Sequence, residues 1–491
     1  MHKISKNKFL SYTFILISLV SIFSCAARRV RDEGDIIASL YKEKKYQTVI
    51  DRITKKEVYE RQEDRFLKQA ELGIAYFNLK DYKKALFHLN KAKEIANSLY
   101  KVSISNKVES LFIGEATDIY YPNQFEQISI RFYEILSHYM LIQSSESSKD
   151  KRFHQQAMVS TLRDWSSYID NFKEQNRGRA IYKGSTFIDL MGVIVHDVYD
   201  RSKDRSVIKS FKKLGQKNLV EQMGIYPSYN ELHEKYKDDY NELHLLSQKK
   251  LANYISETQT SNNIKKFFQN KKRYNTYIII LDGHVIKKTA NVYEFPLGLP
   301  VGVYIYNDEG MDDFVTFSLK MLSITRGAEP KISFELPKID SVPITNTEKV
   351  TLTNADGNEV LSDNLILMAN TSEVLSESLK TDVKTLEAKV GARLAAKHIA
   401  LLTSAYQTYR SLYNNGAFIA YLSASAAYAA GNKAIAESEL ADLRSWYGIY
   451  DHVYMLPVDL KPGEYEITYK GKKYKLTRSD SPKQILPLVL N

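Results

Sequence analysis

In "AELGIAYFNLKDYKKALFHLNKAKEIA" (Ala70–Ala96), apolar residues recur at helical spacing on both sides of a short polar break. Residues three and four apart share a helix face, so Leu72, Gly73 and Tyr76 line one helix and Ala85, Leu89 and Ala92 the next. Lys80-Asp81-Tyr82 supplies the turn between them. Large and small residues alternate across the two faces. Gly73 and Ala85 let the helices approach closely, while Tyr76 and Leu89 fill the remaining space. The stretch therefore predicts an interlocked helical hairpin.

These positions resemble the tetratricopeptide pattern, although its Trp and closing Pro are missing here. Weaker copies flank the hairpin. Over Ile36–Ile53, Tyr46, Val49 and Ile53 take the parts of Tyr82, Ala85 and Leu89. Phe132, Leu136 and Tyr139 open another pair, interrupted by the polar loop "SSESSKDKR", whose second helix carries Ala157, Leu162 and Trp165. A fourth pair sets Gly192 and Val195 before Val207, Phe211 and Leu214. Stacked pairs bury a continuous core and leave a concave face for a protein or an extended peptide. Residues 36–262 are thus expected to form a TPR-like α-solenoid. Within it, "YNELHEKYKDDYNELHLL" repeats its opening motif after eleven residues, placing His233 and His244 on one helical face. They lie ~16 Å apart at 1.5 Å of rise per residue, too far for one metal ion.

The period changes near Tyr274. "NTYIIILDGHVIKKTANVYEFPL" reads as two strands joined at Asp282-Gly283. "GVYIYNDEGMDDFVTFSLKML", "KISFELPKI" and "VTLTNADGNEVL" add further strands, the last pair turning at Asp356-Gly357. An antiparallel β segment over 270–365 follows from this alternation. The carboxylates of Asp308, Glu309, Asp312 and Asp313 lack the alternating offsets of a calcium loop. Helices resume over 373–446, where "GAFIAYLSASAAYAAG" (Gly416–Gly431) reads as a buried, closely packed helix. Strands at Val453–Val458, Tyr465–Tyr469 and Lys473–Leu476 end the chain, with turns at Pro462-Gly463 and Lys470-Gly471. They are too few to be stable alone, so residues 450–491 are expected to pack on the earlier β segment. The fold class is α+β.

The single cysteine of the 491 residues lies in "SLVSIFSCAARRVRD" (Ser18–Asp32). With no partner it forms no internal disulfide, and one thiol does not make a structural zinc site. Lys3, Lys6 and Lys8 precede an apolar run from Phe9 to Phe23 that is shorter than a comfortable span of ~20 residues. Ile22-Phe23-Ser24-Cys25 resembles a bacterial lipobox. That resemblance implies a signal peptide over 1–24, acylation of Cys25, and a tether over 25–35 with Arg28, Arg29 and Arg31 near lipid head groups. Ala26 resembles the residue that follows the cysteine in lipoproteins sorted to the outer membrane, which implies a lipid-anchored, periplasm-facing location. Loss of the leader lysines lowers the formal net charge from +11 to +8. The charge is dispersed along the chain and suits anionic envelope polymers or lipid, not nucleic acid.

Several segments together resemble a group of Gram-negative tetratricopeptide lipoproteins with no established reaction. They are the aromatic–acidic "YYPNQFEQISIRFYEILSHY", the strand segments "IIILDGHVIKKTANVYEFP" and "ISFELP", the helix "ARLAAKHIA", and the closing "ADLRSWYGIYDHVYMLPVDLKPGEYEI". The resemblance implies architecture and location.

Catalytic signatures are absent: no Gly-x-Ser-x-Gly, Walker loop, dinucleotide fingerprint or zinc pair occurs, and no metal or cofactor is expected. Asp442, Arg444 and Trp446 form the most site-like cluster. Their i, i+2 spacing excludes a shared helix face and points to a turn or strand start. Arg444 has the fork to bind a carboxylate or phosphate, or it locks the final strands onto the Ala-rich helix with Trp446 as a core plug. Tyr121 and Glu126 are the other candidate binding residues. The leading expectation is a non-enzymatic scaffold that binds an envelope protein or peptide. The alternatives are a regulator of peptidoglycan synthesis and an enzyme acting on envelope polymer or lipid.

Overall fold

Seven helices come first in the structure, a computed structural model that describes residues 29, 31–102, 118–175, 186–198, 208, 211–212, 267, 274–285, 287–296, 331–339 and 349–490. Cys25 and its leader, the repeated Tyr-Asn-Glu-Leu-His motif, the acidic turn near Asp308 and the strands expected over 302–322 lie outside the described residues. Helix α1 covers 31–42. It is followed by α2 (Tyr46–Thr54), α3 (Arg65–Asn78), α4 (Tyr82–Val102), α5 (Gln124–Ser144), α6 (Ser148–Gln175) and α7 (Thr186–Val198). From α2 to α7 each helix packs on the next.

The α3–α4 pair interlocks through its small residues. A Cβ on Gly73 would meet the Leu89 side chain at 2.8 Å. Ala85, Leu89 and Ala92 are fully buried and Leu72 nearly so, while Tyr76 is half-buried and stacks on His88 at 5.4 Å. Lys80 turns the chain at φ +63°, and the Asp81 carboxylate accepts from the Lys84 N–H at 3.2 Å, as a helix cap does. The same device recurs at α7, where a Cβ on Gly192 would meet the Phe211 ring at 2.7 Å. Helix α5 is buried on every side from Phe125 to Tyr139, so other parts of the chain enclose it.

Among the described residues, ten strands form three sheets. They are β1 (Thr276–His284), β2 (Thr289–Pro296), β3 (Lys331–Lys338), β4 (Lys349–Asn354), β5 (Glu359–Asn364), β6 (Ile366–Asn370), β7 (Tyr450–Val458), β8 (Gly463–Tyr469), β9 (Lys472–Arg478) and β10 (Gln484–Leu490). The sheet orders are β10-β1-β7-β6, β2-β3 and β5-β4-β8-β9. The two four-stranded sheets each draw on both β segments: β1 and β6 pair with β7, and β4 pairs with β8. The chain changes sheet after β1, β3, β5, β7 and β9.

Several sequence expectations need correction. β1 does not fold back on β2 at Asp282-Gly283. Its continuous apolar run is central, with β7 on one side and β10 on the other, so no edge remains for β2, which pairs with β3. Gly283, at φ +64°, lies within β1, which pairs with β7 on both sides of it, at Asp282 and at His284, instead of making a two-residue turn. The β module is also not purely antiparallel. β1 and β10 run parallel, which is reached only by a crossover through the neighbouring sheet. β10 was absent from the sequence reading because "QILPLVL" is a short apolar run with a proline. The tether cannot extend over 25–35: residues 31–35 are helical, with Glu33 and Gly34 buried.

The C-terminal helices are α8 (Thr371–Leu412) and α9 (Ala417–Ser438). They pack antiparallel, and Leu401 stands where a Cβ on Gly431 would lie. A second hydrophobic cluster joins them to β3 through Phe334 and Leu336. Two further readings fail here. Helix ends at Ser438, so 439–446 is irregular and not part of a helical segment. The Gly416–Gly431 stretch is not a buried helix either: only the stripe of Ala420, Ala424, Tyr428 and Gly431 is covered. Among the described residues no helix is long and apolar enough to cross a membrane.

Candidate functional site

The irregular segment 439–449, turning at 447–448, joins α9 to β7 and crosses the N-terminal helices. Glu439 anchors its start. The Arg393 guanidinium on α8 donates to that carboxylate at 2.6 and 2.9 Å, and the Lys397 ammonium at 2.7 Å. The Glu439 carbonyl accepts from the Glu335 N–H on β3 at 3.1 Å. The Glu335 carboxylate in turn accepts from the Ala441 N–H at 3.2 Å and pairs with Arg31 of α1. Arg31 is therefore tied to β3, with its side chain 24% exposed.

Arg444 is 2% exposed. Its guanidinium donates to Asp442 at 2.7 and 2.8 Å, to Asp64 at 2.7 Å and to the Asp118 carbonyl at 2.9 Å. It lies over the Tyr120 ring, 5.3 Å from the centroid. Burial acts to lower the Arg444 pKa, but the Asp442 and Asp64 carboxylates outweigh it and raise the group above its ordinary value. Burial likewise works to raise Asp442, and the Arg444 charge holds it below the usual carboxylate range. The Lys288 ammonium donates to the Arg444 carbonyl at 2.7 Å.

Three consecutive backbone amides of the segment then donate to helix carboxylates. Trp446 N–H reaches Glu126 at 3.1 Å, and Tyr447 and Gly448 N–H reach the two oxygens of Glu71 at 2.7 and 3.1 Å. Glu126 is held by an N-terminal capping box on α5. Its N–H donates to the Asn123 side chain at 2.9 Å, and its carboxylate accepts from the Asn123 N–H at 2.9 Å and the Tyr120 hydroxyl at 2.6 Å. The Trp446 ring is fully buried, edge-on to Phe66 and Tyr133. Gly448 has no room for a side chain: a Cβ there would meet the Tyr41 ring at 2.7 Å. Burial pushes Glu126 up, and it pushes Glu71 up to about 8 despite the two amides.

Of the candidate binding residues, Glu126, Arg444 and Trp446 converge on this cluster, while Tyr121 points outward, 48% exposed. The Arg444 lock closes on the N-terminal helices and not on the Ala-rich helix, because Asp64 precedes α3 and Glu126 opens α5. Sequence reasoning missed Asp64, Glu71 and Lys288. The one available signal was Glu71 itself, a charged residue on the packed face of a helix beside Leu72 and Gly73. Chemically, the carboxylates of Asp64, Glu71, Glu126 and Asp442 each accept from donors of the same chain, while the buried Trp446 Nε1 and Ser445 Oγ have no hydrogen-bond partner among the described residues. Compared with family models, curated proteins and solved structures, the chain matches none of them.

Proposed function

We propose that this chain is a non-enzymatic, membrane-anchored scaffold of the bacterial envelope. In this reading its paired helices form a TPR-like α-solenoid and Cys25 carries the lipid anchor. The observation that carries it is the closure of the Arg444 cluster. A reacting group must meet a substrate, yet Asp64, Glu71, Glu126 and Asp442 all face donors from their own chain. The same closure bears on the partner. Stacked helical pairs commonly hold an extended peptide on one face. Here α3 and α5 hold the chain's own segment 439–449, so an envelope protein or peptide engages the exposed rim, where Tyr121 lies.

Two measurements test this. A photo-crosslinking residue at Tyr121 should give a discrete adduct with one envelope protein in intact envelopes. No adduct, together with conversion of peptidoglycan or lipid by the purified chain, would overturn the scaffold. Cys25→Ser should release the chain from the membrane fraction or leave it uncleaved. A chain that stays membrane-bound with its leader removed disproves the lipid anchor.

A further inference from the structure

The free end of the α8–α9 hairpin presents large apolar side chains to water. Phe418 is 77% exposed, Leu422 60%, Ile419 55% and Tyr413 52%. Phe418, Leu422 and Ala426 lie four residues apart on one helical face, and all three are exposed. Ala429 and Ala430 continue that stripe and Lys433 closes it. The opposite stripe packs on α8. A surface helix ordinarily turns a polar face outward, whereas α9 is apolar on its packed and its unpacked face alike. Contiguous exposed apolar surface of this kind marks an interaction site.

Charge identifies the occupant. From residue 388 to residue 436 the sequence holds no Asp or Glu, only basic charges. Two of these, Arg393 and Lys397, are paired with Glu439 at the base of the hairpin. Arg410, beside the tip, and Lys433, toward the base of α9, are exposed and stand at the two ends of the apolar stripe. Tyr413 stands edge-on to Tyr409 at 5.5 Å between Arg410 and Phe418, placing phenol rings beside the wedge. Large apolar residues at the tip, alanines behind them, tyrosines beside the tip and cations at the two ends of the stripe follow the depth order of a bilayer interface. A protein surface would call for mixed charges at the rim. The stripe also ends at Lys433, so it suits shallow insertion and not a span. Helix α9 holds the tip ~33 Å from its base at 1.5 Å per residue, clear of the sheets.

We infer that the α8–α9 tip is an interfacial membrane contact, which inserts Phe418, Ile419 and Leu422 below the head groups of an anionic bilayer. This rests on the reading of the chain as a membrane-bound scaffold and adds a second point of attachment.

Phe418→Trp supplies a reporter, since the native Trp165 and Trp446 are fully buried. The full acylated chain with this change is added to vesicles rich in phosphatidylglycerol, with and without lipids brominated in the acyl chains. The added tryptophan should shift to the blue and be quenched by the brominated lipid. Both effects should be lost with I419D/L422D, substitutions at exposed positions, and both should weaken in phosphatidylcholine vesicles. Unchanged emission from a chain that still floats with vesicles would overturn the tip contact and leave the anchor standing. Quenching without flotation after Cys25→Ser would support the tip independently of the anchor. Equal quenching in both lipids, or in I419D/L422D, would overturn the proposal. So would burial of the tip by an added envelope protein with no response to lipid.

Discussion

Replacing Arg444 with methionine keeps most of the side-chain volume and removes the charge that Asp64 and Asp442 face. Breaking a buried ion pair on one side costs about 3–5 kcal/mol, because the remaining charge stays desolvated. Arg444→Met should therefore lower the unfolding free energy by that amount, read as a lower denaturant midpoint at unchanged slope, and Asp64→Asn in the same chain should recover part of it. Glu71 gives a pH signature. Its carboxyl rises from 4.5 to about 8 in the folded chain, so across that window the folded state holds a proton that the unfolded state has released. Stability from this group is complete below about 4.5 and is lost as pH rises through about 8. Melting temperature should fall over that interval, and Glu71→Gln should flatten the slope. An unchanged slope would mean that the group titrates normally. The i, i+2 spacing of Asp442, Arg444 and Trp446 was enough to exclude a helix and to point to a turn or strand start, and the residues lie in irregular backbone just before β7. The spacing held nothing about destination, because Arg444 meets Asp64 across 380 residues and no local pattern encodes so distant a contact.

The helical pairs were the most legible elements. Gly73, Ala85, Leu89 and Ala92 occupy their expected places because close packing of two helices demands small residues opposite large ones. Ala85→Arg should destabilise the protein. Overpacking alone costs about 1–3 kcal/mol, and the buried charge adds to it. An unchanged melting temperature would show that Ala85 does not sit at the α3–α4 contact. Period two also made β3, β4, β5, β8 and β9 legible as strands, but the short apolar runs of β6 and β10 were not, and neither were strand partners. Asp-Gly after an apolar run reads as a hairpin turn, yet β1 is flanked by β7 and β10, so tertiary pairing overrides the turn signal. The Ala-rich α9 misled in the other direction. Its uniform apolarity reads as burial, and composition alone does not show that one face of it stays in water.

At the scale of the molecule, the last fifty residues complete structures that begin much earlier. β7 and β10 flank β1, and β8 pairs β4. The Tyr139 hydroxyl on α5 accepts from the Ile485 N–H of β10 at 2.8 Å, tying this sheet to the helices. A chain ending at Asp442 should therefore lose protease resistance across Tyr274–Leu336, since β1 would keep neither neighbour. Equal resistance in the shortened and full chains would show that the β segments fold separately. The central claim is that segment 439–449 is a structural part of the helical domain and closes its α3–α5 face from within. Hydrogen exchange at the Trp446, Tyr447 and Gly448 amides tests it most directly. Held by Glu126 and Glu71 in the core, these amides should exchange as slowly as those of β1 in the intact chain. Exchange as fast as in an exposed loop would mean that the segment leaves the helices readily and that their face is open to a partner.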